Sequence, residues 1–365
     1  MRIKTITCHN VYNLGASLQA FALEKYLEML GHDVEIIDYQ PIYLQHYRLL
    51  GVSNTRYNRP FLREAYQIAK LPGRLYDRLT SKRKKNFDKF SEEYLRCTAE
   101  RYSNSDELAA SPPRADVYVA GSDQIWNPLF KNGKDPAFFL NFAADSGRRI
   151  SYAASMAVEE LSADDVVRMK PWLSRFDAIS VRESSAVRIL SRMGLRAVQS
   201  VDPVFLLSPE IWYNIAVLPE IADYILVYDF DRSEIVQEIV ESLSKRTGKK
   251  IVSLFPVDWA DVVIGDAGPR EFLGAVLNAD IVVSNSFHAT AFSIIFQKDF
   301  YVVGRTENIN SRMSDLVQDL EITDRMTSSV PQSTESVDYS RVVPILNRKI
   351  EDSKNYLSVQ ISCVK

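Results

Sequence analysis

Short apolar runs alternate with amphipathic stretches along this 365-residue chain, and they do so in two successive series. That order constrains the fold more than composition does, because strands alternating with helices build parallel sheets covered on both faces. In the first series, residues 3–8 read as a strand. Leu18, Ala22, Leu23, Tyr26, Leu27 and Leu30 then recur at helical spacing until Gly31 stops the helix. Residues 34–39 form the next strand, ended by Pro41, which gives a right-handed β-α-β unit with parallel strands. A basic, mainly helical stretch follows to about Arg101, and strand signals resume at 117–120, 149–153, 178–181 and 198–201. The second series begins after Pro209. Its strands are read at 224–228, 251–254, 281–284 and 300–303, and its helices at 233–243, 270–277 and 289–296; residues 342–359 read as a final helix. The expected fold class is α/β, with two doubly wound, Rossmann-like domains facing a cleft over residues 1–207 and 208–340. A basic helical insertion at 43–110 interrupts the first domain, and the closing segment, 341–365, is placed to pack back on it.

Composition serves mainly to exclude. A hydrophobic share of 46% with 25% charged residues is that of a globular protein, and a net charge of −3 gives no reason to expect nucleic acid. Cys8, Cys97 and Cys363 lack metal-ligand spacing and suit a reducing compartment. No apolar run approaches the ~18 residues of a membrane span, and the first residues do not read as a signal peptide, so a cytoplasmic protein is expected. Charge is uneven, however. Residues 48–101 hold 14 Lys and Arg against 6 Asp and Glu, with Tyr57, Tyr66, Tyr76 and Tyr94 interspersed and Tyr102 just beyond. That stretch reads either as a solvated insertion whose Lys82-Arg83-Lys84-Lys85 run faces water, or as a surface for an anionic acceptor or the inner face of a membrane.

Four polar clusters sit just after the strand-like runs, where open α/β sheets gather their ligands. Asn13-Leu14-Gly15 opens the first helix; Gly15 permits close backbone approach, while Asn13 and Ser17 also read as simple caps. It is no dinucleotide fingerprint. Gly121-Ser122-Asp123-Gln124 puts a carboxylate at the sheet rim, and Trp126 behind it offers a flat face to a sugar ring or to packing. Arg182-Glu183 offers a forked guanidinium suited to carboxylate or phosphate, with Glu183 answering the dipole of the helix it precedes. Asn285-Ser286-Phe287-His288, followed by Thr290, places an imidazole among hydroxyls and helix N–H groups that can hold a phosphate.

With these residues the chain resembles the polysaccharide pyruvyl transferase family. The resemblance runs through Tyr12-Asn13-Leu14-Gly15-Ala16-Ser17-Leu18-Gln19-Ala20, Gly121-Ser122-Asp123-Gln124-Ile125-Trp126-Asn127, Ser151-Tyr152-Ala153-Ala154-Ser155 and Ser180-Val181-Arg182-Glu183. Asp202-Pro203-Val204-Phe205-Leu206-Leu207 and Asn285-Ser286-Phe287-His288-Ala289-Thr290-Ala291-Phe292-Ser293 complete it; Ala289 stands where the family often has Gly, a departure that touches the helix entry. The resemblance implies the two-domain GT-B arrangement, phosphoenolpyruvate as donor, and pyruvate placed on a sugar as a ketal. It also implies that Arg182 and His288 serve donor binding and catalysis.

The expected site therefore has His288 and Asp123 as catalytic groups, the first an acid and the second a base for the attacking hydroxyl. Arg182, Arg312, Asn13, Gly15, Gly121, Ser122, Gln124, Trp126, Asn285, Ser286 and Thr290 are expected to bind substrate. Neither metal nor cofactor is expected, phosphoenolpyruvate being a substrate. The expected partners are that donor and a lipid-linked or nucleotide-linked sugar, with peripheral membrane contact as the second reading of the basic stretch. The alternative is a GT-B glycosyltransferase using a nucleotide sugar, for which Asp266 and Glu271 are the carboxylates on hand.

Overall fold

The computed structural model describes residues 1–45, 80–143, 147–305, 311–332 and 335–363. Most of the basic stretch, residues 46–79, falls outside the described residues, as do Tyr57, Tyr66, Tyr76 and His46. Two parallel sheets organise the rest. The first carries β1 (Arg2–Ile6), β2 (Asp33–Tyr39), β3 (Cys97–Tyr102), β4 (Val117–Ala120) and β5 (Arg148–Ser151) in the order β3-β2-β1-β4-β5. A two-stranded extension, β6 (Ser180–Val181) and β7 (Val198–Gln199), continues it through bridges from Ile150 to Ala178 and from Ala154 to Val181. The second sheet is β10-β9-β8-β11-β12-β13, built from β8 (Tyr224–Tyr228), β9 (Lys250–Ser253), β10 (Val262–Val263), β11 (Ile281–Ser284), β12 (Asp299–Val303) and β13 (Met326–Thr327). These are two Rossmann-like units. Strands β4, β8 and β11 are buried along their whole length, because helices cover both faces and an unbroken apolar run is the stable pattern there.

The structure corrects the basic stretch in two ways. Its end is a strand: β3 pairs parallel with β2, so this segment supplies an edge of the first sheet. The Lys82-Arg83-Lys84-Lys85 run also does more than face water. It opens the helix Lys82–Tyr94, where Arg83 donates to the carbonyl of Ala267 at 2.9 Å, Lys84 pairs with Asp88, and Arg270 meets Glu93 at 3.5 Å. The helix thus bridges to the second unit.

One apolar core runs through both units. The helix Leu14–Met29 meets the helix Phe287–Ile295 across Trp212, whose ring lies edge-on to Phe21 at 5.6 Å and to Phe292 at 5.0 Å. The C-terminal helix, Tyr339–Ser362, leaves the second unit and returns to the first. There Ser353 accepts from the Val201 amide, Tyr356 donates to the Ser151 carbonyl, and Gln360 accepts from Arg148. This packing aligns the carboxyl ends of β1, β4, β6 and β7 with that of β11.

Candidate active site

A cavity of about 640 Å³ opens between the two units. Asn13, Asp123, Gln124 and Lys131 line it from one side, and Asn285, Ser286, His288, Arg305 and Arg312 from the other. Each expected residue has a definable place. Asn13 caps the first helix, its Oδ1 accepting from the Ala16 amide at 3.1 Å. Gly15 lies against the His288 ring so closely that a Cβ there would sit 1.9 Å from Nδ1. Gly121 holds φ +131° with the Tyr152 carbonyl 2.1 Å from where a Cβ would be, so only glycine fits. Ser122 accepts a close bond from Arg182 and donates to the Ala153 carbonyl at 3.1 Å. Asp123 has φ +67°, a left-handed turn in which its carbonyl accepts from Ile125 and Ser155. Its carboxylate faces the cavity, 4.0 Å from Nη1 of Arg312. Gln124 reaches the wall while accepting from Asn127.

From the second unit, Asn285 bonds Asp229 at 2.5 Å and the Phe230 amide at 2.9 Å, fixing the loop that carries Phe230 into the cavity wall. Ser286 caps the His288 helix, accepting from the Ala289 amide at 3.4 Å. Two expectations need correction. Trp126 is fully buried, stacked on Phe139 and donating to the Phe138 carbonyl at 3.0 Å, so its face packs the core and meets no sugar. Thr290 returns its hydroxyl to the Ser286 carbonyl at 3.1 Å and does not line the cavity; a hydroxyl spent on the preceding turn is a common helical outcome.

Arg182 is also placed differently from the expectation of a side chain on the main cavity. It lines a smaller adjoining chamber of about 150 Å³, separated from the larger one by Phe287 and Arg312, which border both. The Arg182 and Arg312 guanidinium carbons lie 4.9 and 5.6 Å from the Phe287 ring centroid. Burial, and then the charge of Arg182, draws Arg312 down to about 10. Two cations held close in a dry setting attract an anion. Both cations keep unspent donors: Arg182 Nε and Nη1 and Arg312 Nε are buried without a hydrogen-bond partner, while His288 Nε2 faces the Asp202 carboxylate at 3.6 Å, longer than a hydrogen bond.

Asp202, in the sequence only one member of the Asp202-Pro203-Val204-Phe205-Leu206-Leu207 motif, sits at the centre of this group. Its side chain is inaccessible, its Oδ2 2.9 Å from Arg182 Nη2, 3.6 Å from His288 Nε2 and 3.4 Å from the Ser122 hydroxyl. Burial would raise its carboxyl, but the charges of Arg182 and His288 outweigh that and hold it down at about 2. The signal was available, since Asp202 follows the expected strand 198–201 just as Asp123 follows β4. Lys131, Arg305 and Phe230 were missed as well, because nothing local marks a cavity wall. Glu183, read as answering a helix dipole, is fully buried, and its carboxyl accepts from Ser155; burial raises it, with Arg182 opposing.

Among the described residues, one set has ligand atoms close enough for a metal: His9, Asp38 and Cys97, all within 4.8 Å of one another. Sequence spacing hid it, because His9 comes from the segment after β1 while Asp38 and Cys97 come from β2 and β3. The Asp38 carboxylate there is engaged by protein donors, with His9 at 3.2 Å, Gln40 at 2.6 Å and Arg101 at 2.9 Å. The carboxylates weighed for a nucleotide sugar lie off the cavity: Glu271 accepts from the Gly268 amide to cap its own helix, and Asp266 gives its carbonyl to Asn86. No described helix is long and apolar enough to cross a membrane.

Residues 13–307 match the family model of polysaccharide pyruvyl transferases. No curated sequence gives a significant match. Among solved structures, UDP-N-acetylglucosamine 2-epimerase from Rickettsia bellii is similar with a TM-score of 0.50 at 12% identity, covering 100% of this chain and 97% of its own. The Methanocaldococcus jannaschii UDP-GlcNAc 2-epimerase in complex with UDP-GlcNAc and UDP gives 0.48 at 13%, covering 96% and 93%. AviGT4, a glycosyltransferase involved in avilamycin A biosynthesis, gives 0.48 at 11%, covering 99% and 97%. At such identities the likeness is one of fold, the paired Rossmann-like arrangement of GT-B enzymes.

Proposed function

The chain belongs to the polysaccharide pyruvyl transferase family, and from that premise we propose that it transfers pyruvate from phosphoenolpyruvate to a sugar of a polysaccharide precursor as a ketal. The observation carrying this reading is the set of unspent buried donors on Arg182 and Arg312, with the His288 ring beside them on the cavity between the units. The donor brings a carboxylate and a phosphate, and preorganised cations in a water-poor site stabilise such charge by several kcal/mol, on the order of a single well-placed donor or more. A lipid-linked or nucleotide-linked sugar fits the larger chamber.

The residues divide the work as follows. His288 delivers a proton to the methylene carbon as a sugar hydroxyl adds to the central carbon, and Asp123 takes the hydroxyl proton. A second hydroxyl of the same sugar then displaces phosphate; a C–O bond to phosphate breaks, and the second hydroxyl's proton leaves with it. The two C–O bonds of the ketal are formed, and the new methyl group keeps the delivered proton. Arg182 and Arg312 hold the anionic groups in place throughout.

One assay tests the reading. Phosphate release from phosphoenolpyruvate is measured with a panel of lipid-linked and nucleotide-linked sugars, beside nucleotide release from sugar nucleotides. Acceptor-dependent phosphate release is expected. Nucleotide release with no phosphate signal sinks pyruvyl transfer in favour of glycosyl transfer.

A further inference from the structure

We propose that Asp202 is a positioning residue that orients both the proton donor and the anion grip of this site, one carboxylate serving His288 and Arg182 together. The inference rests on the pyruvyl-transfer reading for its kinetic part, while its structural part stands on the geometry alone. Asp202 lies just beyond β7 and caps the turn Pro203–Phe205, its own Oδ1 accepting from the Val204 amide at 3.1 Å, which fixes the carboxylate plane. Oδ2 then points to three groups: Arg182 Nη2 at 2.9 Å, the Ser122 hydroxyl at 3.4 Å and His288 Nε2 at 3.6 Å. With its side chain wholly buried, no water competes for that oxygen.

Two consequences follow for the site. The carboxylate favours a proton on Nε2, as a buried acid behind a catalytic histidine does, sets the ring's orientation, and supports the doubly protonated ring whose Nδ1 proton is the one delivered. It leaves Nδ1 on the side of Gly15, at the start of the first helix, so the ring is clamped between the two units. The same oxygen holds Arg182 by one nitrogen of its fork and leaves Nε and Nη1 without partners. A grip fixed at one corner, with its other donors free, is preorganised for an anion. Loss of the carboxylate should therefore disturb proton delivery and donor binding by separable routes.

The experiment compares wild type, Asp202→Asn, His288→Asn and the double variant in phosphate release from phosphoenolpyruvate. Asp202→Asn should lower kcat by about 10²-fold, the scale of losing a histidine's orienting partner, and raise the donor KM. In the His288→Asn background the further kcat loss should disappear, since there is no imidazole left to orient, whereas the rise in KM should persist through Arg182. Equal kcat losses in both backgrounds would overturn the proposal and leave Asp202 a structural residue. Nitrogen-15 histidine NMR on the wild-type protein, with His288→Asn for assignment, covers the case in which Asp202→Asn does not fold. A His288 ring carrying a proton on Nε2, alone or together with one on Nδ1, supports the proposal, and one protonated on Nδ1 alone overturns it. Should wild type release no phosphate with any acceptor, the pyruvyl-transfer reading fails while the NMR arm still decides whether Asp202 orients His288.

Discussion

Two buried ionic clusters lie toward the carboxyl side of the first sheet's strands, and they are finished to different degrees. Around Asp38, every buried side-chain polar atom of His9 and Asp38 has a partner: His9, Gln40 and Arg101 occupy both carboxylate oxygens, and the Thr98 hydroxyl accepts from the Asp38 amide. Around Asp202 the carboxylate is equally engaged, but its neighbours are not: Arg182 and Arg312 retain buried donors beside two adjoining chambers. A closed network ties strands together. An open one, costly to keep in a folded chain, is what a ligand completes. The contrast separates a staple from a site without reference to either cluster's composition, since both contain His, Asp and Arg.

Breaking the open cluster should cost activity and spare the fold. The largest effect is expected at His288→Ala, with kcat reduced by at least ~10³-fold, the scale of removing a general acid, while the melting temperature stays within a few degrees of wild type. Normal turnover in that variant would remove His288 from the chemistry. Next is Gly15→Ala. A methyl group 1.9 Å from Nδ1 must push the ring aside, and a displacement on the order of 1 Å costs about 10²-fold in rate; phosphate-release kinetics with a folded variant check it.

The closed cluster should answer in the opposite currency. Asp38→Ala leaves His9 buried without its partner and should destabilise by about 3 kcal/mol, the cost of breaking a buried pair, with kcat unchanged in the surviving folded protein; denaturant melts read it. A smaller effect is expected from Arg182→Lys, which keeps the charge but loses the fork: donor KM should rise about tenfold, or ~1.4 kcal/mol, with kcat nearly intact.

The finest comparison uses pH. Burial alone would lower His9, but its bonds to Asp38 and Cys97 raise it to about 9, above its unfolded value. Its contribution is thus complete below the unfolded pKa near 6.5 and is lost as pH rises through about 9. Asp38 runs the other way: burial opposes it, but His9, Arg101 and Gln40 hold it at about 2. That contribution is complete above about 3.9 and is lost as pH falls through about 2. The stability gap between wild type and His9→Asn should therefore shrink as pH rises from about 6.5 to about 9 and be smallest above that. A gap that widens there would contradict the pairing.

The sheets were legible because strand and helix periodicities are local. β4, β8 and β11 fall at the residues their apolar runs indicate, and the helix carrying His288 begins within two residues of its expected start. β3 was not legible, since Cys-Thr-Ala-Glu-Arg-Tyr carries charge along an exposed sheet edge and follows a helical, basic run. The site was legible as a set of strand ends but not as a geometry. Strand-end logic gave Asp123 and Arg182, yet it could not reveal that Phe287 and Arg312 would stand between Arg182 and the main cavity, or that Trp126 would be turned into the core. The first outcome rests on Arg182 meeting Phe287 from more than 100 positions away, and the second on Trp126 meeting Phe138, Phe139 and Phe176 across loops and a helix, which no local pattern encodes. His9, Asp38 and Cys97 make the same point, their meeting being set by strand order alone.

The C-terminal helix joins the units a second time, after the link through residues 203–216. One covalent span and one hydrogen-bonded helix between the same bodies act like a book with a spine and a clasp: sliding and twisting are resisted, and the remaining soft movement is rotation about the line connecting the two. Any breathing that admits a bulky acceptor must pivot there, so stiffening the clasp with a cross-link between Ser353 and Val201 should slow substrate entry more than it alters the chemical step.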